Sequence, residues 1–271
     1  MRRIFALLIS MLFTGVLLDA QSTCTARTPA SDPAFKDDER ITYAASYTWG
    51  PVFTDVGEVV LTVDTEPGKA RIKAVARTYK FYDKFFKVRD LYESHFSIPD
   101  FHSQYFYRDI FEGDYSIKNT YRFDWERNII EAKIEREKKP VKDMEIELTP
   151  CTLDVIAYFY YLRSIDFSDA YPNKIYVVSI PLDDEVFNIK CRYLGKETKK
   201  IKSFGMRVKC LKFAVEVIAG SVFKGDENIT MWVSDDKNHI PLELESPIIV
   251  GKVKGRILKF ENLKYPLNLL D

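Results

Sequence analysis

The chain has 271 residues, with 40 Lys+Arg against 40 Asp+Glu, and it is 46% hydrophobic and 14% aromatic. The even charge balance argues against a nucleic-acid-binding protein, which normally carries a basic excess, and the apolar content excludes a disordered acidic chain. Four cysteines are too few for a disulfide-dense scaffold. What remains is an aromatic-rich globular protein.

The first segment predicts export. Arg2 and Arg3 precede a mainly apolar run from Ile4 to Leu18. This run is too short to span a bilayer comfortably, and it fits the apolar region of a secretory signal peptide. We therefore expect residues 1–20 to be a signal peptide that directs the protein to the periplasm or cell envelope. An uncleaved membrane anchor is the alternative, and no later stretch is apolar over a membrane-spanning length.

Residues 21–34 are small, polar and proline-containing, which predicts a flexible linker. Cys24 lies in this segment, where a lipid could be attached after export. Lipid attachment needs a small residue directly before the cysteine and an aliphatic one at minus three. Thr23 and Gln21 fit those positions poorly, so we expect no lipoprotein.

Residues 35–265 predict a single β domain. Apolar and charged residues alternate, as in Ile130, Ala132 and Ile134, and this period of two with one charged face indicates half-buried strands in antiparallel sheets. Similar runs lie near 41–48, 57–64, 70–79, 87–97, 103–111, 115–124, 143–148, 174–180, 185–194, 206–218, 228–234, 242–245 and 248–260. The predicted fold is mainly β: an antiparallel roll, open barrel or sandwich with one buried central helix.

Aromatic residues crowd into one short segment between two predicted strands: Tyr79, Phe81, Tyr82, Phe85 and Phe86. Aromatic side chains beside a sheet can line an apolar ligand pocket. More often, such residues are simply part of the core.

Asp90 falls on the apolar face of the next strand, the same face as Val88 and Tyr92. An unpaired buried carboxylate is costly, so Asp90 should have a partner. Arg108 in a nearby strand and Arg163 in the predicted helix are the candidates, and we expect Asp90 to contact one of them. The cluster is either a structural ion pair or a polar spot inside a ligand cavity.

The central helix is predicted over about 150–165. Leu153–Ile165 is apolar on several sides, and Thr149 followed by Pro150 resembles an N-cap and first helical residue. Asp154 near this end suits the helix dipole. With so few polar positions, the helix should be buried against a sheet.

Export would permit disulfides among Cys24, Cys151, Cys191 and Cys210. Three connectivities are open, and the sequence does not distinguish them. Cys191 shares an alternating face with apolar residues, which favours a buried free thiol over a bridge to Cys210.

No sequence motif indicates catalysis. None of the three histidines has a partner at metal-ligand spacing, and no glycine-rich phosphate loop or nucleophile motif is present. The acidic stretch 235–238 is more typical of a hairpin turn than of a calcium site. We therefore predict no catalytic residue, no metal site and no cofactor. A catalytic triad assembled across the fold is the alternative.

Several short segments, in this order and spacing, resemble the domain of unknown function family 3108 of bacterial exported proteins. They are Phe35-Lys36, Glu39–Tyr43, Phe85–Asp90, Tyr92–Ser94, Arg108-Asp109, Gly113, Asp154-Val155, Tyr161–Arg163, Leu194–Glu197, Phe204-Gly205, Trp232–Asp236, Ile240-Pro241 and Val250-Gly251. The resemblance runs from about 35 to 262. It implies an all-β secreted domain without an established activity, and it assigns no catalytic residues.

Three functions are consistent with the sequence. The first is a non-enzymatic envelope protein that binds an apolar or amphipathic ligand, or an envelope protein partner, in the concavity of its sheet. A large, dry aromatic cavity would support ligand binding, whereas a sheet filled by side chains would oppose it. The second is a structural module acting through sheet edges. The third is a hydrolase, which needs a cleft where Ser or His meets a carboxylate.

Overall fold

The structure is a computed structural model that describes residues 32–49, 52–216, 229–247 and 252–270. The predicted signal peptide at 1–20 and Cys24 lie outside the described residues. The end of the predicted linker, residues 32–34, is part of the fold. Ala34 is buried, and its N–H donates to Ser164 Oγ at 3.2 Å. The folded domain therefore begins before Phe35.

Strands make up most of the described chain. Those before the helix are β1 Arg40–Trp49, β2 Val52–Glu66, β3 Lys69–Thr78, β4 Arg89–Ser97, β5 Ser103–Glu112, β6 Tyr115–Asp124, β7 Ile129–Arg136 and β8 Lys142–Glu147. The helix α1 spans Val155–Arg163, and a short 3-10 helix spans Tyr82–Lys84. The later strands are β9 Ile175–Leu182, β10 Glu185–Ile201, β11 Met206–Val215, β12 Ile229–Ser234, β13 Pro241–Pro247, β14 Lys252–Glu261 and β15 Leu269–Leu270.

The described strands form one antiparallel sheet with the order β8-β7-β6-β5-β4-β3-β2-β1-β14-β13-β12-β11-β10-β9, and β15 pairs with β11. The sheet has two arms, β1–β8 and β9–β14, and each arm is a meander of hairpins. The β1–β14 pair joins the two arms, with Arg40 opposite Glu261. The sheet is open between β8 and β9, and the chain passes from one edge to the other through α1. The predicted antiparallel fold with one buried helix is confirmed.

The core lies between the concave face of the sheet and α1. Alternating residues of the strands supply it, as the period of two predicts, and Ile72 and Phe106 are almost fully buried there. The aromatic side chains of α1 complete it: Tyr160 packs edge-on against Phe35 with ring centroids 5.1 Å apart. Among the described residues, no helix combines the length and the apolar character needed to cross a membrane.

The helix begins later than predicted. Asp154, and not Thr149, is the N-cap: its carboxylate accepts the N–H groups of Ile156 and Ala157, each at 2.9 Å. Residues 151–153 do not join the helix because they pair with the β9 edge, where Leu153 N–H donates to the Ser179 carbonyl at 2.9 Å. This pairing uses backbone groups that a longer helix would need.

The cysteines are in two chemical states. Cys191 and Cys210 are buried free thiols, as the apolar face around Cys191 favours. Burial raises the pKa of Cys191 to about 12, so this thiol is protonated at neutral pH. Cys151 is disulfide-bonded.

Candidate functional site

Asp90 is buried on the apolar face of β4, as its register predicts, with only 3% of its surface exposed. Its carboxyl accepts the N–H of Phe111 at 3.1 Å and hydrogen-bonds to the carboxyl of Glu112. A hydrogen bond between two carboxyl groups requires a proton on one of them. Burial raises the pKa of Asp90 to about 7, although the Phe111 N–H, Glu112 and the charge of Arg108 act to lower it.

The expected direct contact between Asp90 and an arginine is wrong. Arg108 is buried in the same region, but its Nε donates to Asn119 Oδ1 at 2.8 Å and its Nη2 donates to Asp183. Asp183 lies in the turn between β9 and β10, in the other arm of the sheet. Arg108 therefore acts on Asp90 only through its charge, because its hydrogen bonds are used to join the two arms.

Arg163 belongs to a different site. It forms a two-pronged ion pair with Glu39, with Nη1–Oε1 and Nη2–Oε2 distances of 2.6 and 2.9 Å, and both side chains are almost fully buried. The Arg163 guanidinium also donates to the carbonyls of Ala34 and Asn238. Asn238 lies in the 235–238 turn, which joins β12 to β13 as predicted. Arg163 is thus a structural link, and it takes no part in a cluster with Asp90.

In the described chain serine meets a carboxylate near the cleft, where Ser46 donates to Asp55 Oδ1 at 2.6 Å beside Arg256, and also in a fully buried group. Ser94 and Ser103 donate to Asp154 Oδ2 at 2.8 and 2.7 Å, and all three side chains are fully buried. These hydrogen bonds hold the N-cap of α1 against β4 and β5. The arrangement explains the position of the helix and offers no access to a substrate.

The concave side of the sheet is filled by side chains. An apolar cavity between α1 and the later strands, bordered by Phe159, Phe167 and Phe213, has a free volume of about 20 Å³. That volume holds about one water molecule. The structure therefore gives no support to a large apolar ligand in this cavity.

The aromatic segment points outward. Phe81 and Phe85 are 64% and 72% exposed, while Tyr82 and Phe86 are partly buried. Neither the pocket nor the core interpretation holds for Phe81 and Phe85, because the 3-10 helix at Tyr82–Lys84 turns this segment away from the sheet.

A larger cleft of about 570 Å³ opens where the β10–β11 hairpin folds over the sheet. A register shift at Tyr193/Gly195 bends this long hairpin, and Gly195 adopts a φ of 124°, which favours glycine. Ser203 near the hairpin tip then donates to the Ile257 carbonyl of β14 at 2.6 Å. The hairpin and β14 form facing walls of the cleft.

The walls of the cleft are basic. Leu242 and Ile257 border it but are almost fully buried, so the exposed apolar side chain at the cleft is Phe53, which is 44% exposed. Six cationic side chains line the cleft: Lys199, Lys200, Lys202, Lys252, Lys254 and Arg256.

Carboxylates balance only some of this charge. Glu243, Glu245 and Asp55 form ion pairs with lining cations, which leaves three cations in excess. Burial acts to lower the pKa of Lys254, but Glu245 and Glu243 hold it above the ordinary value, so Lys254 is charged. Lys200 and Lys202 are exposed and form no ion pair with the described residues. The cleft can therefore accept an anion.

Sequence reasoning missed this cleft, although part of the signal was visible. Lys252, Lys254 and Arg256 alternate along β14, which places three cations on one face. The basic run Lys199–Lys202 is equally visible. The overall neutrality of the chain concealed both, because neutrality of the whole says nothing about a local excess.

Comparisons with known proteins agree with the fold and give no activity. A family model described as "Protein of unknown function (DUF3108)" matches residues 42–257. None of the curated proteins matches the chain. A solved structure from Brucella abortus, described as a beta-barrel-like protein of domain of unknown function DUF1849, is similar with a TM-score of 0.55 at 10% sequence identity. The similarity covers 85% of this chain and 100% of that one.

Proposed function

We propose that this chain, which belongs to the DUF3108 family, is an exported, non-enzymatic binding protein of the cell envelope whose ligand is an anionic amphiphile. The basic cleft carries this proposal, because it combines an excess of cations with an exposed aromatic ring, Phe53, at its border. Cations bind the anionic group of such a ligand, and the aromatic ring receives its hydrocarbon part.

Phe53 suits this role because cations surround its ring. The Arg256 guanidinium lies 5.1 Å and Lys202 Nζ 5.3 Å from the ring centroid. A hydrocarbon chain can cover Phe53 while its head group stays within reach of both cations. The purely apolar ligand is less well supported, because the apolar cavity has room for only about one water molecule.

The sheet edge offers less than the cleft. The β8 edge carries exposed Lys142, Asp143, Glu145 and Glu147, and charged edges discourage pairing with another strand. The β9 edge is already paired in part with residues 151–153. We therefore prefer the cleft to an edge-mediated structural role.

Calorimetric titration of the exported and processed protein tests the proposal. A soluble short-chain phosphatidylglycerol should bind, and the matching phosphatidylcholine should bind at least about tenfold more weakly because it lacks the net negative charge. Lys200→Gln/Lys202→Gln should weaken phosphatidylglycerol binding about tenfold, whereas Lys138→Gln/Lys139→Gln in the turn after β7 should leave it unchanged. Equal affinity for both lipids, or binding that is insensitive to Lys200 and Lys202, would refute the assignment.

A further inference from the structure

The segment Tyr79–Lys87 projects an apolar surface from the molecule. Phe85 and Phe81 are among the most exposed large apolar side chains in the described chain. Their ring centroids are 5.8 Å apart, and Tyr82 packs edge-on against Phe81 at 5.1 Å. The rings thus form one continuous apolar projection.

The structure holds these rings in the exposed position. Arg89 binds the Asp83 carboxylate with two hydrogen bonds of 3.0 and 2.6 Å, and Thr78 Oγ1 donates to the same carboxylate at 2.5 Å. The Tyr82 hydroxyl hydrogen-bonds to Thr54. Exposure of Phe81 and Phe85 therefore follows from a fixed backbone geometry.

Phe86 provides a further anchor for the segment. Its ring lies so close to Gly113 that a Cβ at that position would come within 2.8 Å of it, and Gly113 has a φ of 63°. Glycine is thus required there both for space and for conformation. Phe86, the third phenylalanine of the segment, therefore lies against Gly113, while Phe81 and Phe85 point to solvent.

The segment itself carries a net positive charge. Lys80, Lys84 and Lys87 are exposed, and Asp83, the only carboxylate between positions 79 and 88, is neutralised by Arg89. Aromatic rings flanked by lysines are typical of segments that lie at the surface of an anionic bilayer, with the rings among the head groups and the ammonium groups near phosphate.

We propose that Tyr79–Lys87 docks the protein on a bilayer containing anionic lipid, with Phe81 and Phe85 inserted at head-group depth. A few rings are too small for a stable protein interface, which needs about 800 Å² from each partner. A bilayer needs only this shallow insertion together with charge attraction.

The docking segment lies next to the cleft. Thr54, which bonds to Tyr82, directly follows Phe53 at the border of the cleft, so the two side chains lie on opposite faces of β2 and only this strand separates the segment from the cleft. Tyr79 N–H donates to the Val56 carbonyl at 3.0 Å, which ties the start of the segment to the same strand. Docking would therefore bring the cleft to the membrane surface, and this second part rests on the proposed function: the amphiphile is an anionic membrane lipid.

Vesicle sedimentation of the exported and processed protein tests the docking. The protein should sediment with vesicles of mixed phosphatidylcholine and phosphatidylglycerol, and it should stay in solution with phosphatidylcholine alone. Phe81→Ser/Phe85→Ser should reduce the partition coefficient about tenfold or more. Tyr171→Ser is the matched control, because Tyr171 is 64% exposed elsewhere, and its partition coefficient should stay within about twofold of the wild type.

A spectroscopic variant gives an independent measurement. Phe85→Trp should show a blue-shifted emission on addition of the mixed vesicles, since the indole leaves water for the head-group region. An unshifted emission, or equal sedimentation of the wild type and Phe81→Ser/Phe85→Ser, would overturn the docking. So would retention by an envelope protein that depends on these two rings and occurs without partition into vesicles.

The two proposals fail in different ways. Phe81→Ser/Phe85→Ser should still bind soluble short-chain phosphatidylglycerol, since the cleft is intact. If vesicles do not bind and the soluble lipid does, docking is overturned and the cleft assignment stands. If vesicle binding depends on the rings and the soluble lipid does not bind, the cleft assignment is overturned and docking stands.

Discussion

Two arginines are among the largest fully buried side chains of this protein, and their surroundings differ. All three nitrogens of Arg163 donate hydrogen bonds, Glu39 neutralises it from a fully buried position, and the ring of Tyr160 lies 4.9 Å from its guanidinium. Arg108 has a buried Nη1 without a partner in the structure, and its counter-ion Asp183 is partly exposed.

The difference shows two ways of placing a cation inside a sheet. Burial acts to lower the pKa of Arg163, but Glu39 holds it above the ordinary value, so the pair stays ionised. Around Arg108 the charges are shared more loosely, because Arg136 also reaches Asp183 at 3.3 Å and the pair Asp90–Glu112 lies nearby. The Arg163–Glu39 ion pair is therefore fully buried with every guanidinium nitrogen hydrogen-bonded. The carboxyl groups near Arg108 can still gain or lose a proton.

Removing the Arg163–Glu39 ion pair should have the largest effect on stability. Arg163→Met leaves Glu39 buried without a counter-ion, so we expect a loss of about 4 kcal/mol in the free energy of unfolding, measured with urea. Arg163→Met/Glu39→Leu should recover more than half of that loss, because it removes the orphaned charge. A loss below about 1 kcal/mol for the single variant would show that the Arg163–Glu39 pair contributes no more than an exposed ion pair.

Removing Arg108 should cost less. Arg108→Met leaves Asp183 with Arg136 and with access to solvent, so we expect a loss of about 2–3 kcal/mol in the same measurement. Arg136→Met, which removes only the partly exposed partner, should lose under about 1 kcal/mol. If Arg108→Met proves as destabilising as Arg163→Met, the contrast between the two sites is wrong.

Asp90→Asn should stabilise the protein at neutral to alkaline pH. Because the pKa of Asp90 is raised to about 7 in the fold, the protonated carboxyl stabilises the folded state at low pH, and this contribution is lost as pH rises to about 7. The neutral variant avoids that loss. We expect a gain of about 2 kcal/mol in the free energy of unfolding at pH 8. This is about half of the free energy that corresponds to the full pKa shift of Asp90, since the amide must fit against Glu112.

Urea unfolding at several pH values measures this effect. The gain should vanish below about pH 4, grow up to about pH 7 and then level off. Asp109→Asn on the neighbouring strand, where the carboxylate is paired with Lys118 near the surface, is the control and should show no such profile. A gain independent of pH would mean that Asp90 does not hold a proton in the fold.

Alternation along the strands sufficed to predict the sheet and the burial of Asp90, and the apolar run Leu153–Ile165 sufficed to predict the buried central helix. These depend on which face of an element is apolar, and that information is local. The start of the helix could not be predicted, because Cys151–Leu153 form backbone hydrogen bonds with β9, a strand that lies more than 20 residues later in the chain.

The local sequence pattern could not predict the ion-pair partners, the cleft or the exposed aromatic surface. Arg108 meets Asp183 only because the turn after β9 comes close to β5 and β6. Lys200 and Arg256 line the same cleft only because the β10–β11 hairpin bends at Gly195. The outward direction of Phe81 and Phe85 likewise depends on a 3-10 turn, whose faces have no repeating sequence signature.

The pairing of β1 with β14 has a consequence for folding kinetics. Apart from the two-residue β15, which pairs with β11, every strand within an arm pairs with its neighbour in sequence, so hairpins can form early and locally. The junction between the arms pairs Arg40 with Glu261, and closing so long a loop must wait until both ends are ordered. We therefore expect the two arms to form first. The pairing of β1 with β14 should then be the slow step of folding.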